Sequence, residues 1–332
     1  MKTFIKLIIC VSLWHSFFVN INNAKAQEAL IKEVLTIGTG SKKALAYPTI
    51  EGVCKIFNKY STNYACKPIE TRGSEDNLKG ITSGKFHMGV LKADMQYNSY
   101  NGMGFAQKNP NRSLRSLFGL HMEHLNIIVH KNSNIKDLNN LRGKNIYIGN
   151  KGSGSRIFVD RLLQNIGYNY EDFNKVYQGP TKTLEKLLCK QDLDIVLYLI
   201  GHPNKTIGNL LNSCDLKMIS LPRRDLEKYI GSFLHISIDK IPKGAYRQVS
   251  KDLETISSQL VLTTSSNIDE EAINDFVQII FENYQEIQET VPALKDTRIF
   301  DSLLRAGNIP FHPGAKKFYV KVSPFFGQPL FN

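Results

Sequence analysis

From residue 34 to residue 91 the chain alternates short apolar runs with amphipathic stretches. Val34 to Ile37 is a β-prone run that ends in the turn Gly38-Thr39-Gly40-Ser41. From Tyr47 to about Tyr60, Ile50, Val53, Cys54 and Phe57 recur on one face at helical spacing. Tyr64 to Glu70 reads as a second strand, with Arg72-Gly73-Ser74 as its exit turn. Ser74 opens a helix ended by Gly84, and Phe86 to Leu91 is a third strand. This strand–turn–helix rhythm predicts a largely parallel sheet covered by helices.

The rhythm then restarts. Leu125 to His130 is β-rich, Ile135 to Lys144 forms a short helix and turn, and Asn145 to Gly149 is a strand. Lys151-Gly152-Ser153-Gly154-Ser155-Arg156 leads into a helix reaching about Ile166. Asp194 to Ile200 is another strand, ending in Gly201-His202-Pro203-Asn204. Leu260 to Thr264 is a late strand, and two amphipathic helices close the chain. No Pro/Gly/Ser-rich linker separates the halves. Two similar α/β lobes joined by crossover strands leave this signature, with a ligand cleft between them. The expected lobes are residues 27–123 with 255–332, and residues 124–254.

The first 26 residues read as an export signal. Lys2 and Lys6 form a basic start, Leu7 to Val19 is mostly apolar, and Ala24-Lys25-Ala26 supplies a small-x-small cleavage pattern. The apolar run is shorter than the roughly 20 residues of a membrane-spanning helix. Cleavage after Ala26 leaves a mature periplasmic chain from Gln27, long enough for two compact domains. Loss of Lys2, Lys6 and Lys25, with no acid, takes the formal charge from +12 down by three to +9. The excess is spread along the chain, which fits a field favouring anionic ligands or an acidic surface. No nucleic-acid module is present, and nucleic-acid binding is not expected. The mature chain keeps Cys54, Cys66, Cys189 and Cys214, an even number that suggests two disulfides among three connectivities. Nearest-neighbour pairing, Cys54–Cys66 and Cys189–Cys214, would tie a helix to the following strand twice.

Six segments together carry a family resemblance. They are IGTGSKKALAYP (Ile37 to Pro48), ETRGSEDNL (Glu70 to Leu78) and LKADMQYNSYNG (Leu91 to Gly102), then IKDLNNLRGKNIYIGNKGSGSR (Ile135 to Arg156), GHPNKTI (Gly201 to Ile207) and NIPFHPGAKKFY (Asn308 to Tyr319). In order and spacing the chain resembles the TAXI-type extracytoplasmic solute-binding proteins associated with TRAP transporters. The resemblance implies an α/β, type II periplasmic-binding-protein fold that closes over a small solute and delivers it to a membrane-embedded permease. Many members have a similar cysteine arrangement, which supports the pairing above. The family's usual ligands are small carboxylates and acidic amino acids such as glutamate or 2-oxoglutarate.

The motifs have a physical reading as well. A glycine-rich turn between strand and helix presents unpaired N–H groups and a helix dipole that favour an anion. Ser41, Ser74, Ser153 and Ser155 add hydroxyls at those ends. Lys42, Lys43, Arg72, Lys92 and Arg156 mark departures from the family pattern or flank its turns, and two of them facing the cleft would select an anion. The expected ligand set is Thr39, Gly40, Ser41, Tyr47, Arg72, Gly73, Ser74, Lys92 and Asp94 from the first lobe. From the second it is Ser153, Gly154, Ser155, Arg156, Gly201, His202, Pro203 and Asn204. Asp94 would repel a carboxylate, so it is assigned to a ligand ammonium or to orienting a donor.

Other chemistries fit less well. Gly38-Thr39-Gly40 partly matches a dinucleotide fingerprint, but Lys43 fills its third small position and no acid follows at the right distance. Gly149 to Ser155 lacks the Gly-Lys-Ser/Thr of a phosphate-binding loop. His121, Glu123, His124 and His130 fit no zinc spacing and lie in the crossover, where hinge packing or exposure accounts for them. With no Gly-x-Ser-x-Gly elbow and no HExxH, neither catalysis nor a cofactor or metal is expected. The alternative reading is a monomeric sensor or surface antigen of the same fold with no permease.

Overall fold

The structure, a computed structural model, describes residues 32–323 apart from 108, 180, 232–234, 296 and 307. The export segment expected at residues 1–26 lies outside the described residues. The strands are β1 (Glu33–Gly38), β2 (Tyr64–Ile69), β3 (Met88–Lys92), β4 (Leu114–His130), β5 (Asn145–Tyr147), β6 (Lys175–Tyr177), β7 (Ile195–Ile200), β8 (Leu216–Met218), β9 (Ile236–Ile241) and β10 (Leu253–Ser265). The helices are α1 (Ala46–Tyr60), α2 (Ser74–Thr82), α3 (Ala93–Asn101), α4 (Gly154–Asn165), α5 (Leu184–Cys189), α6 (Lys205–Ser213), α7 (Arg223–Ile230), α8 (Glu270–Glu282), α9 (Tyr284–Thr290), α10 (Ile299–Ala306) and α11 (Pro313–Val322).

The sheet order is β2-β1-β3-β10-β4-β7-β5-β6, with β8 on β4 and β9 on β10. One arrangement occurs twice. β1 runs parallel to β2 and β3, and β10 joins β3 antiparallel. β5 runs parallel to β6 and β7, and β4 joins β7 antiparallel. β4 and β10 also pair with each other from Leu114↔Ser265 to His124↔Ser257, so both long strands run through both lobes. This is a two-lobed α/β architecture with two long strands shared between the lobes.

The cores follow from side-chain alternation. In β7, Ile195, Leu197 and Leu199 enter one cluster while Val196 and Ile200 enter the opposite one. In β4, Ile127 and Val129 face the first and Ile128 the second. A third cluster packs α1 and α8 against Leu35, Ile37, Met88 and Val90. Phe57 and Phe276 meet there at 4.9 Å between ring centroids. The first two clusters draw on residues 125–256, and the third on residues 35–120 and 260–319.

Three expectations need correction. Ile135 to Lys144 is not helical, although Ile135, Leu138 and Leu141 are buried. Side chains hold its backbone instead: Asn139 N–H donates to Asp137 Oδ1 at 2.8 Å and Leu141 N–H to Tyr168 OH at 3.1 Å. β4 begins at Leu114 and β10 at Leu253, well before the apolar runs that signalled them. The chain closes with α8 to α11, not with two helices, because short connections interrupt the apolar periodicity.

Cys54 bonds Cys66 and Cys189 bonds Cys214. The first bond ties α1 to the following strand, β2, as expected. The second ties the end of α5 to the residue after α6, clamping two helices that flank β7. Among the described residues no helix is long and apolar enough to cross a membrane. The bonds close loops of 12 and 25 residues, and each is expected to contribute about 3 kcal/mol by restricting the unfolded chain. Protein unfolded without reductant should show almost no titratable thiol in the mature chain. Reduction should lower the urea midpoint in two separable steps, and two or more free thiols before reduction would refute the pairing.

Candidate functional site

Two glycine-rich turns meet where the lobes touch. Arg72-Gly73 ends the segment after β2 and starts α2 with no side-chain cap, so its first N–H groups stay available. Gly152-Ser153-Gly154 starts α4, capped by Ser153 Oγ, which accepts Arg156 N–H at 3.2 Å. Gly73 has φ +122°, a conformation that favours glycine. A β-carbon there would lie 3.5 Å from Ser153 Cα. At Gly154 a β-carbon would lie 2.8 Å from Lys92 Cε and 2.9 Å from Ser74 Oγ. The absent side chain lets α2 and α4 approach with both N-termini at the Lys92 stem.

Charge at this junction is paired. Lys92, at the end of β3, is 3% exposed, and its Nζ donates to Glu123 Oε2 of β4. Asp94, equally buried, accepts Arg161 Nη1 of α4 at 3.0 Å, an ion pair across the lobes. Arg156 is 7% exposed; its Nε donates to Asp160 at 2.6 Å and its Nη2 to Tyr170 OH, while Nη1 has no partner. Asn150 Oδ1 is likewise buried and unpartnered.

Several expected hydroxyls are spent on the backbone. Thr39 Oγ1 donates to Ile69 O at 2.8 Å, and Ser155 Oγ accepts Leu199 N–H at 2.8 Å. Ser74 Oγ accepts Lys92 N–H at 3.3 Å, and Ser153 Oγ donates to Asn150 O at 2.8 Å. Ser41 Oγ accepts Lys43 N–H at 3.3 Å in a turn that precedes α1 by several residues, so it does not sit at a helix end. A β-carbon on Gly40 would meet open space, and Tyr47 lies under Lys42 Nζ at 5.5 Å. Arg72 points away: its side chain is 73% exposed and forks onto Asp76, whose carboxyl it holds below the usual range. Lys42 and Lys43 are exposed.

The turn after β7 makes the second lobe contact. A β-carbon on Gly201 would lie 2.7 Å from both His121 Cδ2 and Leu45 Cδ2. His202–Pro203 is cis, and Asn204 caps α6 by accepting Thr206 N–H at 2.9 Å. His202 Nδ1 lies 2.7 Å from Tyr246 OH. Burial pushes His121 down to about 3, aided by Lys92 and His124, and pushes His202 down to about 3, aided by His124. Sequence reasoning missed Leu45, Glu123 as a partner of Lys92, Asn150, Asp160, Arg161 and Tyr170. Asp160 alone had a local signal, its i,i+4 spacing from Arg156.

These histidines set a pH dependence. Each is neutral in the folded protein down to about pH 3 but takes a proton near 6.5 when exposed. Stability is therefore complete above pH 6.5 and falls as pH drops toward 3, by about 1.4 kcal/mol per unit for each histidine. Urea unfolding between pH 7.5 and 4.5 should show this decline, and His121→Gln should remove about one proton's share of the slope. An unchanged slope in the variant would refute the assignment.

The NMT1-like family model matches residues 37–321. Among solved structures, a protein from Bordetella bronchiseptica RB50 is similar at TM-score 0.51 and 14% identity, covering 88% of this chain and 98% of that one. The periplasmic aliphatic sulphonate binding protein of Escherichia coli gives 0.41 at 14% identity, covering 88% of this chain and 84% of its own. The ligand-binding component of an ABC-type import system from Staphylococcus aureus gives 0.46 at 10% identity, over 90% and 94%. At these identities the likeness is one of fold. The family match spans most of the sequence, from β1 to α11, and the chain belongs to the NMT1-like family.

Proposed function

We propose that this is an exported solute-binding protein that closes its lobes over a small carboxylate and presents it to a membrane permease of the TRAP type. The carrying observation is that α2 and α4, from opposite lobes, meet N-terminus to N-terminus at buried Lys92. Helix N-termini and an ammonium all favour negative charge, and Arg156 Nη1 adds an unpartnered donor nearby in the same turn. Two of the five cations singled out in the sequence, Lys92 and Arg156, are thus buried; Lys42, Lys43 and Arg72 are not. Glu123 beside Lys92 suits a ligand ammonium, so glutamate is tested alongside 2-oxoglutarate.

In this reading the hinge lies near residues 123–124 of β4 and 254–255 of β10. The lobes are residues 27–123 with 255–332, and residues 124–254. The two disulfides fit an oxidising compartment outside the cytoplasm. The TRAP assignment rests on the TAXI-type motifs, and a multi-span permease encoded beside this gene would give its type.

Calorimetry on the mature chain with glutamate, 2-oxoglutarate and a neutral analogue tests the ligand class. Arg156→Ala should weaken carboxylate binding about tenfold to a hundredfold. It should also lower the unfolding midpoint, because Asp160 loses its cation. Equal binding of the neutral analogue by both proteins would sink the anion reading. Small-angle scattering should show compaction on saturation if the unliganded protein samples open lobes. An unchanged radius, with an unliganded radius larger than the described closed form, would count against closure.

A further inference from the structure

Beside the Lys92 junction lies a cavity of about 250 Å³, bounded by β4, β10, the turn after β7 and the segment from Pro292 to Ser302. Four of its lining side chains have buried polar atoms without partners. His121, 5% exposed, has no partner at either ring nitrogen. His124 places Nε2 3.1 Å from Asp239 Oδ2 and leaves Nδ1 unpartnered. Gln259 Nε2 donates to Leu120 O at 2.5 Å and leaves Oε1 unpartnered.

His202 completes the set. Tyr246 OH accepts Asn204 N–H at 2.9 Å and lies 2.7 Å from His202 Nδ1. We assign the phenolic proton to that contact, which leaves the imidazole proton on Nε2, an unpartnered donor. The cavity thus offers donors and acceptors together: His202 Nε2–H and one His121 N–H, against Gln259 Oε1 and the other His121 nitrogen. The charged lining groups, Arg298 and Asp301, are paired with each other at 2.8 Å. Among the described residues no three His, Cys, Asp or Glu side chains are placed to hold a metal.

His121 joins this cavity to the cleft. It packs against Gly201 of the second lobe, feels the Lys92 charge, and shares β4 with Glu123. A ligand with its carboxylate at Lys92 and Arg156 therefore turns its other end toward the imidazoles. A second carboxylate buried there would lack a free cation, which is costly. An apolar end would leave the imidazoles and the Gln259 carbonyl unpaired. A hydroxyl or carboxamide, which both donates and accepts, meets both requirements.

We infer that the far end of the bound carboxylate is an uncharged hydrogen-bonding group, a hydroxyl or a carboxamide, held among His121, His124, His202 and Gln259. This rests on the carboxylate reading of the cleft and narrows it from dicarboxylates toward their half-amides and hydroxy acids.

Matched probes separate the two claims. Calorimetry on the mature chain would compare succinate, succinamate and succinamide, and glutamate with glutamine. Succinamate and glutamine should bind at least about tenfold tighter than succinate and glutamate, since a site built for hydrogen bonds discriminates strongly between partnered and unpartnered groups. His121→Leu, which removes no hydrogen bond from the folded protein, should shrink that ratio below about threefold. Tighter binding of succinate or glutamate, or equal binding within each pair, overturns the inference while leaving the carboxylate reading intact. Succinamide binding as tightly as succinamate sinks the carboxylate reading but not the uncharged far end. No binding by any probe overturns both.

Discussion

The pairing of β4 with β10 is the constraint on which both lobes depend. The strands are 17 and 13 residues long, and each leaves one lobe's sheet to finish in the other. Lobe rotation must therefore bend a hydrogen-bonded pair, since no loose linker joins the halves. The register shifts between Gln259 and Val261 and again between Val261 and Thr263, where the ladder is already irregular. Bulges of this kind twist and bend a strand locally. They lie beside the cavity that Gln259 lines and, in the proposed reading, give the pair a place to flex.

The junction between the lobes gathers charge without leaving an excess. Lys92 with Glu123 and Arg156 with Asp160 are pairs within one side of the junction, and Arg161 with Asp94 crosses it. Buried pairs repay their desolvation roughly in full and seldom more. The empty closed form thus gains little net energy from its charges. An anion at the two helix N-termini adds what the protein's own groups do not: an acceptor for Arg156 Nη1 and for the uncapped N–H groups of α2.

Much of the fold was legible because apolar periodicity was strong. The face carrying Ile50, Val53, Cys54 and Phe57 marked α1, and the continuous apolar run from Ile195 to Ile200 marked β7. The front of β10 was not legible, because Thr255, Ser257 and Ser258 are polar yet buried. Thr255 and Ser257 are satisfied across the sheet: Thr255 Oγ1 donates to Leu125 O at 2.6 Å and the Ser257 and Ser237 hydroxyls lie 2.9 Å apart, facts no local pattern reveals. At the site, the glycine turns were legible as strand-to-helix turns, whereas the close approach of Gly154 to Lys92 and Ser74 needed the tertiary fold. Arg72 pairs at the surface with Asp76, four residues on, a local partner that the sequence offered. The Lys92 to Glu123 pair spans 31 residues of sequence and needed the tertiary fold to be seen.

In the proposed reading Gly154 and Gly201 decide how far the lobes close, because each stands where a β-carbon would press on the opposite lobe. Such contact lets the cleft shut fully on a small ligand, and also lets it shut when empty. A population closed without ligand lowers apparent affinity by the fraction withheld from loading. In the proposed reading a ligand that reaches the buried imidazoles and the Gln259 carbonyl opposes that loss, because it adds hydrogen-bond partners that the protein's own groups do not supply. In that reading small residues at the contact and unpartnered polar groups beside it are complementary: the first permits closure, and the second makes it depend on what is bound.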